Sequence, residues 1–187
     1  MPIGIITDLD GNSFDVQNPD RGDFNIEDIA HALAQEPRFS GRCKEFYSVA
    51  QHSFYMSYMG PPEKAKAYLL HDGTEAYLRD IASPIKPLLP DYVALEKALG
   101  GKLALAFDLP VDAFDDPDLK MMDKKLQGME ASVLIKNPHT VYAWCGYPDD
   151  TLFSIDRNFK PWPWKDAKRM FLNRYWEIYN GLHDFQE

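Results

Sequence analysis

The sequence predicts an all-α fold, a helical bundle with at most a minor strand or hairpin at the N-terminus. Three observations carry this. From residue 26 onward, apolar residues recur at intervals of three and four. Capping residues stand at the starts of these segments, and glycine or proline stands near their ends. Only "SFDV", between the turn-rich clusters "DGN" and "NPDRGD", reads as a strand or hairpin.

Asn25 can cap "IEDIAHALAQ", in which Ile26, Ile29, Ala30 and Leu33 share a face and after which Pro37 stops the helix. "RFSGRCKEFY" reads as a basic connecting loop. Ser48 can cap "VAQHSFYMSYM", which Gly60, Pro61 and Pro62 close. "EKAKAYLLHDGTEAYLRDIA" reads as one long helix with Gly73 tolerated and Pro84 marking its end. "DYVALEKALGGKLALAFDL" is a further helix, weakened at Gly100 and Gly101. "DPDLKMMDKKLQGMEASVLI" is capped by Asp116 or opened by Pro117. Residues 138–162 read as loop with a short strand at "TLFSI". "PWKDAKRMFLNRYWEIYNGL", residues 163–182, closes the chain as an amphipathic helix that aligns Trp164, Ala167, Met170, Phe171, Arg174 and Ile178.

At 187 residues and 45% hydrophobic content, one domain spanning 1–187 is expected. The chain holds 29 acidic against 20 basic residues. That balance argues against duplex nucleic acid as a partner, because binding phosphates along a duplex needs clustered base. Cys43 and Cys145 form no CxxC unit, so neither a zinc ribbon nor a disulfide scaffold is expected. Without a leader-like segment or a run of about 20 apolar residues, no membrane association is expected and the cytoplasm is the expected compartment.

The chemistry concentrates in "HDGTEAYLRD". His52 sits mid-helix on a core-facing stripe, and His71 ends an apolar run on the next helix. Asp72 and Asp123 can bring oxygen donors to the same centre. Two nitrogens and two carboxylates suit a divalent metal such as Co, Mn, Zn, Ni or Fe, with Mg a further candidate. Taken singly, each has a plainer reading: a half-buried histidine, a surface acid among lysines, a chance His-Asp pair. Their order on successive helices favours the joint reading. Glu75 follows His71 by four residues, on the same helical face, and can act as base or water orienter; a solvated helix acid is the alternative. Among the bases, Arg38 leads as a phosphate ligand, with Arg42 and Lys86 as further substrate contacts. His31 reads as a packing residue and the Trp162 and Trp164 pair as core or oligomer contact; His139 and His183 receive no role.

"YSVAQHSFYMS", "AYLLHDGTEAYLRDIASPIK" and "LKMMDKKLQGMEASVL" resemble the H…HD…D signature of the HD-domain metal-dependent phosphohydrolases. The likeness is greatest to the bacterial 5'-deoxynucleotidase group and its phage-encoded relatives. It spans residues 26–134, with the 163–182 helix expected to pack on that core. It implies an HD-domain helical bundle with His52, His71, Asp72 and Asp123 as metal ligands and Glu75 as the acid that orients or deprotonates the attacking water. Asp80 would contact the sugar hydroxyl, Arg38 a phosphate, and Phe39 the base pocket. The implied substrate is a deoxynucleotide, as a monophosphate or as a triphosphate such as dATP, and the implied assembly is a homo-oligomer. In a phage-encoded relative the compartment would be the host cytoplasm. Gly73 departs from the family's small residue such as alanine. The alternative reading, from a different class, is a non-catalytic HD-like module that senses a nucleotide or bridges partners.

Overall fold

The computed structural model describes residues 3–145 and 159–183. Its architecture is all-α with one small antiparallel hairpin. Strands β1 (Ile5–Thr7) and β2 (Ser13–Asp15) pair with Ile6 opposite Phe14. Asp8 shapes the turn by accepting from the backbone N–H groups of Asp10 and Asn12. The hairpin plugs one end of the core: Phe14 is buried, stacked on Tyr77 at 4.1 Å and edge-on to Phe24.

Helices α1 (Ile26–Gln35), α2 (Val49–Met56), α3 (Ala65–Leu70) and α8 (Trp164–His183) make the central bundle, with α8 lying against the other three. Asn25 and Ser48 cap α1 and α2 through the backbone N–H groups of Glu27 and Gln51. Ile29, Leu33, Leu69, Leu70 and Phe171 are fully buried between them. Gln51, also buried, donates to the carbonyl of Lys160 and accepts from the Trp162 N–H, fastening the segment that enters α8. Trp162 packs edge-on to Phe54, and Trp164 meets His31, so the packing roles expected of these residues hold.

The segment from residue 63 is not one long helix. It divides into α3 and the single turn α4 (Glu75–Leu78), joined by a tight turn over His71 to Thr74. Hydrogen bonds of the i to i+3 type there, Gly73 N–H to the Leu70 carbonyl and Glu75 N–H to the Asp72 carbonyl, replace the α ladder. Glycine at 73 fits because a Cβ would meet the Leu70 carbonyl oxygen at 2.9 Å and Leu103 at 3.0 Å. Past Leu78 the chain leaves helical space at Arg79, whose φ of 75° is rare for a side chain of this size. Glu36 holds it there, pairing with the Arg79 guanidinium at 2.6 Å and accepting from the Asp80 N–H, while Tyr92 donates to the Arg79 carbonyl.

Helix α5 (Pro90–Ala106) runs unbroken through Gly100 and Gly101, whose bare faces admit Val111 and Phe114. Helix α6 (Pro117–Leu134) has Asp116 as its cap and Pro117 in its first turn. The expected loop after residue 138 instead begins with α7 (His139–Cys145); the strand read at "TLFSI" lies outside the described residues. No helix among the described residues is long and apolar enough to cross a membrane.

Candidate metal centre

His52 projects from the middle of α2, where it is wholly buried, and His71 and Asp72 project from the turn after α3. Ligand atoms of these three all lie within 4.8 Å of one another, a group that can hold a metal ion. Asp123, from α6, joins them through His52, with its Oδ1 3.2 Å from His52 Nε2. Asp72 touches both rings, at 3.2 Å from His71 Nε2 and 3.7 Å from His52 Nε2.

The donor set fits a cation in its chemistry as well as its spacing. His52 Nε2, His71 Nε2 and Asp123 Oδ1 are buried and make no well-aligned hydrogen bond, meeting only ionic neighbours within the cluster. Leaving such atoms unpaired is costly, and a shared cation satisfies them together. The opposite ring nitrogens are fixed from behind. His71 Nδ1 lies 2.9 Å from the Tyr68 carbonyl, and His52 Nδ1 lies 2.8 Å from Glu130 Oε1. Each contact favours a proton on Nδ1 and directs the Nε2 lone pair to the centre, the usual support for a metal-bound histidine. Glu130 is fully buried and also accepts from the Tyr47 hydroxyl at 2.6 Å. It was not singled out from the sequence, although its position two helical turns after Asp123, on the same face of α6, was a usable signal.

Arg38 is also drawn into this centre. Its guanidinium is buried, 3.4 Å from Asp72, 3.8 Å from Asp123 and 3.6 Å from Glu130. Burial opposes its charge, but Glu130, Asp72 and Asp123 outweigh that and hold it protonated. Phe39 and Ser40 follow in the left-handed region, with φ of 53° and 52°. The loop arginine thus meets residues 34 to 92 positions away in sequence.

The acids respond to the same field. Burial pushes the Asp72 carboxyl up, yet the His71, Arg38 and His52 charges hold it well below the usual range. Asp123 is lowered too, since His52 and Arg38 outweigh its burial. Glu75, almost wholly buried with Oε2 unpaired, is raised well above its ordinary value by burial and by Asp72 and Asp80. Asp80 is raised chiefly by burial.

Burial and Arg38 lower the His52 imidazolium, but Glu130 and Asp123 prevail and push it up to about 9, from an ordinary 6.5. In chelated protein this charge therefore stabilises the fold fully below pH 6.5, and the contribution is lost as pH rises through about 9. Its size is roughly 3 kcal/mol. The urea midpoint of chelated protein is expected to fall over that window, less so in His52→Gln; equal slopes for the two proteins would contradict the assignment.

Two cavities meet at the centre. One, of about 370 Å³, is lined by Arg38, Phe39, Arg42, Asp80 and Lys86, which gathers the expected substrate contacts in one place, and by Thr140 and Val141 of α7. The other, of about 350 Å³, opens toward α5. Asp72, Glu75, Lys86 and Asp123 border both.

No family model matches the chain. It is similar to Uncharacterized protein YfdR of Escherichia coli K12, with 39% identity over 108 residues, covering 58% of this chain and 61% of that protein. It is also similar to Uncharacterized protein RCAP_rcc00048 of Rhodobacter capsulatus, with 37% identity over 112 residues, covering 54% of this chain and 57% of that protein. The chain thus spans about three fifths of the length of the curated relatives it matches.

Proposed function

We propose that the chain is a divalent-metal-dependent phosphohydrolase of deoxynucleotides, acting in the cytoplasm and related to the HD-domain phosphohydrolases its motifs resemble. The observation that carries this reading is the convergence of unpaired His52, His71 and Asp123 donor atoms with Asp72, beside a buried acid and a buried guanidinium. His52, His71, Asp72 and Asp123 are the residues that would hold the ion. Mixed nitrogen and oxygen donors suit Mn, Fe, Co, Ni or Zn better than Mg, which prefers an all-oxygen shell. When bound, the ion supplies Lewis acidity toward a phosphoryl oxygen and a more acidic water.

The chain's own residues do the rest. Glu75 borders both cavities next to the ligand set, where its carboxylate can orient the attacking water and accept its proton. Its raised proton affinity matches that task. Arg38 presents a planar fork to the charge that develops on the phosphoryl oxygens, and its protonation is secured by the surrounding acids. Phe39 offers an aromatic face for the base, and Asp80, aimed by the strained Arg79 backbone, an acceptor for the sugar hydroxyl. Burial of His52, Arg38 and Glu75 strengthens each of these interactions.

The test is phosphate or polyphosphate release from a panel of dNMPs and dNTPs with Mn or Co, before and after chelation. Turnover that disappears with the chelator and returns with metal is expected. No turnover of any nucleotide by metal-loaded protein would overturn the reading in favour of a nucleotide-sensing module.

A further inference from the structure

We propose that Glu36, just past the end of α1, is a positioning residue that sets the sugar specificity of the site by tying together two walls of the cavity on the Phe39 side. This rests on the hydrolase reading above and on the role given there to Asp80. One wall is the loop that carries Arg38 and Phe39; the other is made by residues 80–84 and Lys86. The first wall is firmly mounted. The Glu36 N–H donates to the Ala32 carbonyl, its own carbonyl accepts from the Val49 N–H, and the Arg38 N–H donates to the Tyr47 carbonyl, so this stretch is fixed to both α1 and α2. The second wall has no such frame, since residues 80–85 belong to no helix or strand.

That second wall is held at its ends. At its start the buried Glu36 carboxylate reaches across, with one oxygen 2.6 Å from the Arg79 guanidinium and the other accepting from the Asp80 N–H at 3.3 Å. At its far end Lys86 closes on Glu96 at 2.7 Å. Just before the wall, Arg79 has φ 75° and ψ 157°, a conformation that is essentially glycine's and persists only where the surroundings impose it. The ion pair alone does not impose it, because the Arg79 side chain is largely exposed and such pairs contribute little. The directional contacts are the bond from a buried carboxylate to the Asp80 N–H and, from the α5 side, the Tyr92 hydroxyl donating to the Arg79 carbonyl at 2.9 Å. Asp80 is the next residue, so a relaxation at Arg79 swings its carboxylate out of register with the cavity. Deoxyribose and ribose differ by one uncharged hydroxyl, and telling them apart depends on where a single buried acceptor stands. Glu36 lines neither cavity, so its influence on a substrate passes through Asp80.

The experiment uses the full Mn-loaded chain, with dAMP and AMP as calorimetric probes and their KM values as the second readout. Glu36→Ala is expected to bind Mn as the unmodified chain does and to lose at least fivefold in its preference for dAMP over AMP. Adding Arg79→Gly, which accepts the φ of 75° without a partner, should bring the preference back to within threefold of the unmodified chain, a rescue that a general loss of stability would not show. Tyr92→Phe, which removes the bond to the Arg79 carbonyl and leaves Glu36 in place, is expected to shift the preference the same way by a smaller factor, and it carries the test if Glu36→Ala does not fold. A preference unmoved by Glu36→Ala and Tyr92→Phe, a loss that Arg79→Gly does not reverse, or no binding of either probe to the unmodified chain would overturn the proposal. A Glu36-dependent, glycine-reversed shift in affinity with no turnover of any nucleotide would instead support it and overturn the hydrolase reading alone.

Discussion

Replacing Asp72 with alanine is expected to abolish metal binding and turnover together, while far-ultraviolet circular dichroism keeps its helical form. Among the described residues, Asp72 is the acid seen in contact with both imidazoles, and it also faces Arg38. Its loss removes one donor and leaves the buried guanidinium with Asp123 and Glu130 as its remaining partners. The fold survives because the core around Leu33, Leu69 and Phe171 does not depend on it. Metal content by mass spectrometry of the native protein and turnover under saturating Mn should fall in parallel, turnover by a factor on the order of 10² or more. Retained turnover in metal-depleted protein would count against the assignment.

The second large effect is expected at Glu75. Glu75→Gln keeps the shape and removes the ability to take a proton, so the metal should bind normally while kcat drops about 10² to 10⁴-fold. Relief of the raised, buried carboxyl should also make the variant at least as stable as the parent at neutral pH. Normal metal content, lower kcat and undiminished stability together distinguish a proton acceptor from a structural acid. Unchanged kcat would remove Glu75 from the chemistry.

Features set by local chemistry could be read before the structure. Asn25, Ser48 and Asp116 cap helices because their short side chains reach the first free N–H groups, and Pro117 suits a first turn wherever it occurs. The grouping of His52, His71 and Asp72 was legible because their order along the chain is itself a pattern. What escaped depends on contacts distant in sequence. The helix through His71 looked continuous, since the turn at Gly73 packs against Leu103 and the exit at Arg79 is held by Glu36, 43 residues before it, and by Tyr92. Glu130 looked like any helix acid until Tyr47 and His52 closed around it.

The most direct test of the account is X-ray absorption at the metal edge of protein reconstituted with Co or Mn, compared with His52→Gln and Asp123→Asn. The account predicts one tightly held ion with two imidazole nitrogens among its ligands, and loss of one nitrogen in His52→Gln. An ion whose ligand shell is the same in all three proteins, or contains no imidazole, would contradict it.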